Sequence, residues 1–125
     1  ENPAAALLEA VAARAAESND GAESWIAEQW VGKRIEGAGK VTIASKVYGT
    51  DTDFGVQGGH KVTLEVPVGS QIGLMAPKIS IHLPESPPDE LARFGAQVRF
   101  HGVVKKYQGL MRTLLLESGG LDQAP

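Results

Sequence analysis

Cysteine is absent from the chain, which excludes disulfides and thiolate metal sites and leaves the redox compartment open. Long apolar runs are missing as well: none approaches the roughly 18 residues that a membrane-spanning helix needs, so no membrane span is expected. Aromatic residues amount to only 6%, so few rings are on hand to stack against a ligand. The first residue is Glu1 and not methionine, which suggests a processed or excised product. The location stays open between the cytoplasm and, if a signal peptide precedes Glu1, the bacterial cell envelope.

What is present suits one globular domain. A chain of 125 residues with 42% apolar and 22% charged positions can bury a real core without staples. The net charge of −3 is unevenly spread. Residues 1–30 carry six acids and one base, and residues 31–117 carry eleven bases and eight acids. The body of the chain is therefore mildly basic, and its surface could meet an anion.

The first stretch, "NPAAALLEAVAARAAES", reads as a helix. Asn2 is placed to cap it, Pro3 suits the first helical position, and Leu7, Leu8, Val11 and Ala15 form one apolar stripe. "SNDG" at Ser18–Gly21 stops it. A shorter helix follows in "AESWIAEQWVG", where Trp25 and Trp30 read as core plugs.

From Val31 onward the period changes to two. Ile35, Gly37, Gly39, Val41 and Ile43 share one face of a first strand; Val62, Leu64, Val66 and Val68 face inward from a second. "KISIHL" makes a third, with Ile79, Ile81 and Leu83 inward and Ser80 and His82 outward. "PESPPDELARFG" interrupts the strands, and Pro88–Phe94 could form one or two helical turns. A fourth strand is expected at about Gln97–Lys106 and a fifth at about Arg112–Glu117. The resulting division is a helical segment at 1–30, a barrel at 31–118 and a tail at 119–125.

"GKRIEGAGKV" at Gly32–Val41 and "GAQVRFHGVV" at Gly95–Val104 both fit G-x-x-[IV]-x-x-x-G-x-V. Glycine inside a long strand marks a bend or a close backbone approach. A small closed barrel needs such strands, because they pair with neighbours on both sides of a corner. Five strands, an insertion after the third and glycine-bent first and fourth strands resemble an OB-fold, a five-stranded Greek-key barrel, over about Val31 to Ser118. In particular the two glycine strands are similar to those of bacterial OB domains of the tRNA-anticodon-binding-like kind. An SH3-like barrel is the structural alternative.

Enzyme signatures do not assemble, so no catalysis, metal or cofactor is expected. Asp51-Thr52-Asp53 followed by Gly55 hints at a calcium loop, but Val62 stands where the closing glutamate belongs. His60, His82 and His101 lack zinc-site spacing. "GVQGGHKV" has the wrong glycine spacing for a phosphate loop. Binding is the expected role. The resemblance implies a ligand surface on the second and third strands and on the loops after the first and fourth. That plan selects Lys40, Lys61 and His82 on the strands, and Lys46, Tyr48 and Phe54 in the first loop. Lys105, Lys106, Tyr107 and Arg112 gather around a glycine turn in "KKYQGLMR". Rings beside cations suit single-stranded DNA or RNA, whose bases stack while its phosphates meet the charges. The alternative is a protein-interaction or assembly module, with the N-terminal helix docking to a partner. Oligosaccharide stacking on Tyr48 and Tyr107 is a third reading.

Overall fold

The computed structural model describes residues 2–51, 54–66 and 77–123. Two helices lead, α1 (Pro3–Glu17) and α2 (Asn19–Gln29). Asn2 caps α1, its side chain accepting a 3.3 Å bond from the Ala5 N–H. Ser18 serves both helices: its N–H donates to the Arg14 carbonyl at 3.0 Å, and its hydroxyl accepts from the Gly21 N–H at 3.0 Å. "SNDG" is therefore not only a stop. It starts α2 three residues earlier than the sequence suggests, because serine is a good cap as well as a breaker. Neither helix is long and apolar enough to cross a membrane.

Among the described residues seven strands follow: β1 (Arg34–Lys46), β2 (Thr50–Asp51), β3 (Val56–Gln57), β4 (His60–Glu65), β5 (Lys78–Leu83), β6 (Gln97–Gln108) and β7 (Thr113–Gln123). β2 and β3 form a separate small hairpin. The other five close a barrel in the order β1-β4-β5-β7-β6, and β6 returns to β1. All its pairings are antiparallel except β5 with β7. In terms of the five expected strands the order is first, second, third, fifth, fourth. That order and the parallel pair fit the OB-like plan and not the SH3-like alternative.

Closure depends on two long strands: β1, which changes partners along its length, and β6, which carries β1 on one edge and β7 on the other. β1 pairs with β6 through Arg34–Lys40 and with β4 through Lys40–Lys46. The change happens beside Gly39, where a Cβ would lie 2.7 Å from the Glu65 carbonyl oxygen. Gly102 sits instead at a register shift between β6 and β7, where a Cβ would lie 2.8 Å from the Leu116 Cβ. Gly37 has another purpose: a Cβ there would lie 2.6 Å from the Cβ of Ala4, so its absence lets α1 lie directly on β1. Asn2 stitches this contact, donating to the Ala38 carbonyl at 2.9 Å and accepting from the Ala38 N–H at 3.3 Å.

One apolar core results. Leu7, Leu8 and Val11 of α1 and Ile26 of α2 join Val41, Leu64, Ile79, Val98 and Leu114 of the barrel in a single buried cluster. The tryptophans lie at its margin, half-buried and edge-to-face with centroids 6.3 Å apart. Three other expectations change. Ile43 faces solvent, 62% exposed, because a bulge between Val41 and Ile43 reverses the alternation. The helical turns around Pro88 shrink to one 3-10 turn at Asp89–Leu91. The fifth strand does not end before a tail at 119: β7 turns at Ser118, φ 52°, and pairs with β6 as far as Gln123. Val68 lies outside the described residues.

Candidate functional site

Three cross-strand rows cover the outer face of β1, β4 and β5: Lys40–Glu65–Lys78, Ile43–Thr63–Ser80 and Ser45–Lys61–His82. The first row alternates in charge, which leaves Lys40 half-buried between Glu65 and, on β6, Gln97. In the second row the Thr63 and Ser80 hydroxyls share a 2.9 Å hydrogen bond. Apart from Ile43, the face is polar.

The third row is not open, although strand alternation predicts an exposed face. The β2–β3 hairpin folds back over it and lowers Phe54 onto the sheet, leaving that side chain 1% exposed. The Phe54 and His82 rings lie 5.7 Å apart, and His82 Nε2 donates to the Gly58 carbonyl at 2.8 Å. Lys61 reaches the Asp51 carboxylate at 3.1 Å and stands 5.8 Å from the Phe54 ring centroid. The other Asp51 oxygen accepts from the Phe54 N–H at 3.2 Å. Asp51 is thus occupied as a hairpin anchor, and Asp53 lies outside the described residues. Phe54, Lys61 and His82 form one structural clamp. Ser80 and His82, expected to face solvent, are buried.

The loop after the fourth expected strand also differs from its reading. Tyr107 is buried against the helices and lines a cavity of about 170 Å³ with Ala12, Ala16, Asn19 and Arg112. Burial raises the phenol above its ordinary ionisation range; Arg112 opposes the shift and Glu23 adds to it. A ring so placed cannot stack on a base. Lys105 pairs with Glu117 at 3.4 Å, while Lys106 and Arg112 are exposed. The turn itself is held by the Glu23 carboxylate, which accepts from the Gly109 N–H at 2.7 Å, and it displays Leu110 and Met111.

The remaining expected residues are Lys46 and Tyr48. Tyr48 is 84% exposed, and the Lys46 ammonium lies 5.6 Å from its ring centroid. They are not near Lys106 and Arg112. Lys46 is level with His60 at one end of β4, whereas Thr113 is level with Lys78, which faces Glu65 at the other. About 17 Å of strand separates the two groups. The structure does not gather the expected residues into one patch.

It brings together others instead. Ile43 and Phe94, 62% and 81% exposed, flank the point where Val41 bonds to the loop preceding β6, its N–H to Ala96 and its carbonyl to Gly95. Beyond that point β1 keeps β4 on one side and pairs with no described strand on the other, and a groove of about 170 Å³ lies over the β1–β4 ladder. Ala44, Lys46 and His60 line one wall, and Ser86, Pro87 and Asp89 line the other. Ile43 was hidden by the bulge, which carries no glycine or proline to announce it. Phe94 had a signal, since it directly precedes Gly95, whose positive φ turns the chain sharply into β6. No family model, curated protein or solved structure matches the chain.

Proposed function

We propose that the chain is a non-catalytic binding module whose ligand is another polypeptide. One observation carries this reading: the large apolar side chains Ile43 and Phe94 stand in solvent beside the half of β1 whose second edge pairs with no strand among the described residues. Apolar groups of this size next to a groove favour a protein surface. The residues chosen for base stacking favour it too, by subtraction. Phe54 and Tyr107 are buried, Lys61 is tied to Asp51 and Lys105 to Glu117. An acidic N-terminal segment packed on the barrel further weakens a general attraction for phosphates.

Single-stranded nucleic acid is the second reading, favoured by the exposed Tyr48 ring with Lys46 beside it. One ring and one cation supply a single stacking step of roughly 1–3 kcal/mol, short of a platform for successive bases. Two measurements separate the readings. In a salt series with labelled single-stranded DNA and RNA, no binding is expected at about 50 mM salt; affinity falling linearly with salt on a log–log plot would favour nucleic acid. Phage-displayed random dodecapeptides selected on the full chain should yield binders that lose at least about tenfold in affinity against an Ile43→Asp, Phe94→Asp double variant. Failure to enrich any, or equal binding to both proteins, would reject the polypeptide reading.

A further inference from the structure

The backbone next to Ile43 indicates how a polypeptide would be held, an inference that rests on the proposed function. In an antiparallel ladder the N–H and C=O groups of alternate residues point toward the partner strand. The Val47 N–H donates to the Gly59 carbonyl at 2.9 Å, and the register pairs Lys46 with His60, Ser45 with Lys61, Ala44 with Val62 and Ile43 with Thr63. Ile43, Ser45 and Val47 therefore turn their backbone groups toward β4. Ala44 and Lys46 turn theirs the other way, toward the edge of β1 that pairs with no described strand. Among the described residues, no backbone bond outside the ladder reaches either of them.

The far wall of the groove does not take up these groups. It contains Pro87, and Pro88 follows it. Proline has no N–H, so that stretch is a poor strand partner for the open edge. β1 thus presents two N–H donors and two carbonyl acceptors spaced as in a sheet, bordered by Ile43, Phe94 and a groove.

We infer that the Ala44–Lys46 half of β1 is an acceptor edge for an extended segment of a partner protein, which adds to the sheet as a further strand. Main-chain bonds to Ala44 and Lys46 provide the hold. Side chains of the added strand that fall on the outer face meet Ile43 and should be apolar. Those on the groove side meet Lys46 and His60, which favour one carboxylate, while Asp89 across the groove disfavours a second. A second copy of this chain is a poorer occupant. Two-fold pairing of identical edges would set Ser45 against Ser45 and Ala44 against Lys46, placing a lysine at each end of the short ladder, and lysine on a free edge discourages such association.

The test uses full-length protein and the display-selected peptides. Ala44→Pro and Lys46→Pro each delete an N–H that the β1–β4 ladder does not use, so both variants should fold. Each should weaken peptide binding by about tenfold or more, the loss expected for a backbone hydrogen bond made in a desolvated site. In wild-type protein, added peptide should slow hydrogen exchange at the Ala44 and Lys46 amides, a readout independent of whether the proline variants fold. Peptides that lose affinity for the Ile43→Asp, Phe94→Asp protein yet leave those two amides unprotected would overturn the edge and keep the polypeptide reading. Failure to enrich any peptide would overturn both. Concentration-dependent dimerisation abolished by Ala44→Pro would make the occupant a second copy and overturn the partner assignment.

Discussion

Phe54 shows how one side chain decides what a surface can do. Its ring covers His82, its N–H is held by Asp51, and Asp51 in turn holds Lys61. Removing the ring should open the β2–β3 hairpin and leave a hole on the sheet. Phe54→Ala is expected to cost about 3–4 kcal/mol, seen as a lower urea midpoint. Tyr107 permits a test in pH. Its folded-state ionisation lies above the ordinary tyrosine value, chiefly through burial. The native protein therefore holds the phenolic proton after the unfolded chain has released it. Stability attributable to this group is complete below about pH 10 and falls as pH rises from there toward the folded value. Tyr107→Phe should show a shallower loss in alkaline urea melts; an identical slope would refute the assignment. Neither arrangement was legible residue by residue. Alternation correctly places His82 on the outer side of β5, but nothing local in "KISIHL" reports that a hairpin returns from Asp51 to cover it. The ring of Tyr107 looks like a loop aromatic until the helices are packed against it.

Among the elements, α1 and β1 are joined more intimately than their sequence separation suggests. Gly37 lets the helix approach, and Asn2 bonds to both its own helix and the Ala38 backbone. Asn2→Ala should cost about 1–2 kcal/mol, since it removes a helix cap and leaves Ala38 unsatisfied. Gly37→Ala should be destabilising by about 1–3 kcal/mol, because the Cβ must displace Ala4 or the strand. Equal urea midpoints for wild type and both variants would show that the helix does not depend on this seam. The two glycines of "GAG" thus part company: Gly39 serves the barrel corner and Gly37 serves the helix. The sequence pattern marked both as bends and could not tell them apart, because a missing side chain records a close neighbour without naming it. The bulge after Val41 left even less trace, yet it alone puts Ile43 outside.

Across the whole molecule, the five-stranded barrel and its leading helices were readable because periodicity, capping and glycine spacing all point the same way. The proposed ligand surface was not, because it depends on which strand edges remain unpaired and on which loops fold back. Those are properties of closure. The OB-like plan led to a face that the hairpin covers, and to two loops that lie at opposite ends of β4. The surface proposed in its place is the half-strand edge between Ile43 and Lys46. The proposed strand addition depends on that edge being open in the free protein, and amide hydrogen exchange followed residue by residue tests it most directly. The Ala44 and Lys46 amides should exchange near the rate of an unstructured peptide, while their neighbours Ile43 and Ser45, bonded to β4, should be slowed by about a hundredfold or more. Protection at Ala44 and Lys46 equal to that at Ile43 and Ser45, with no partner added, would contradict the account.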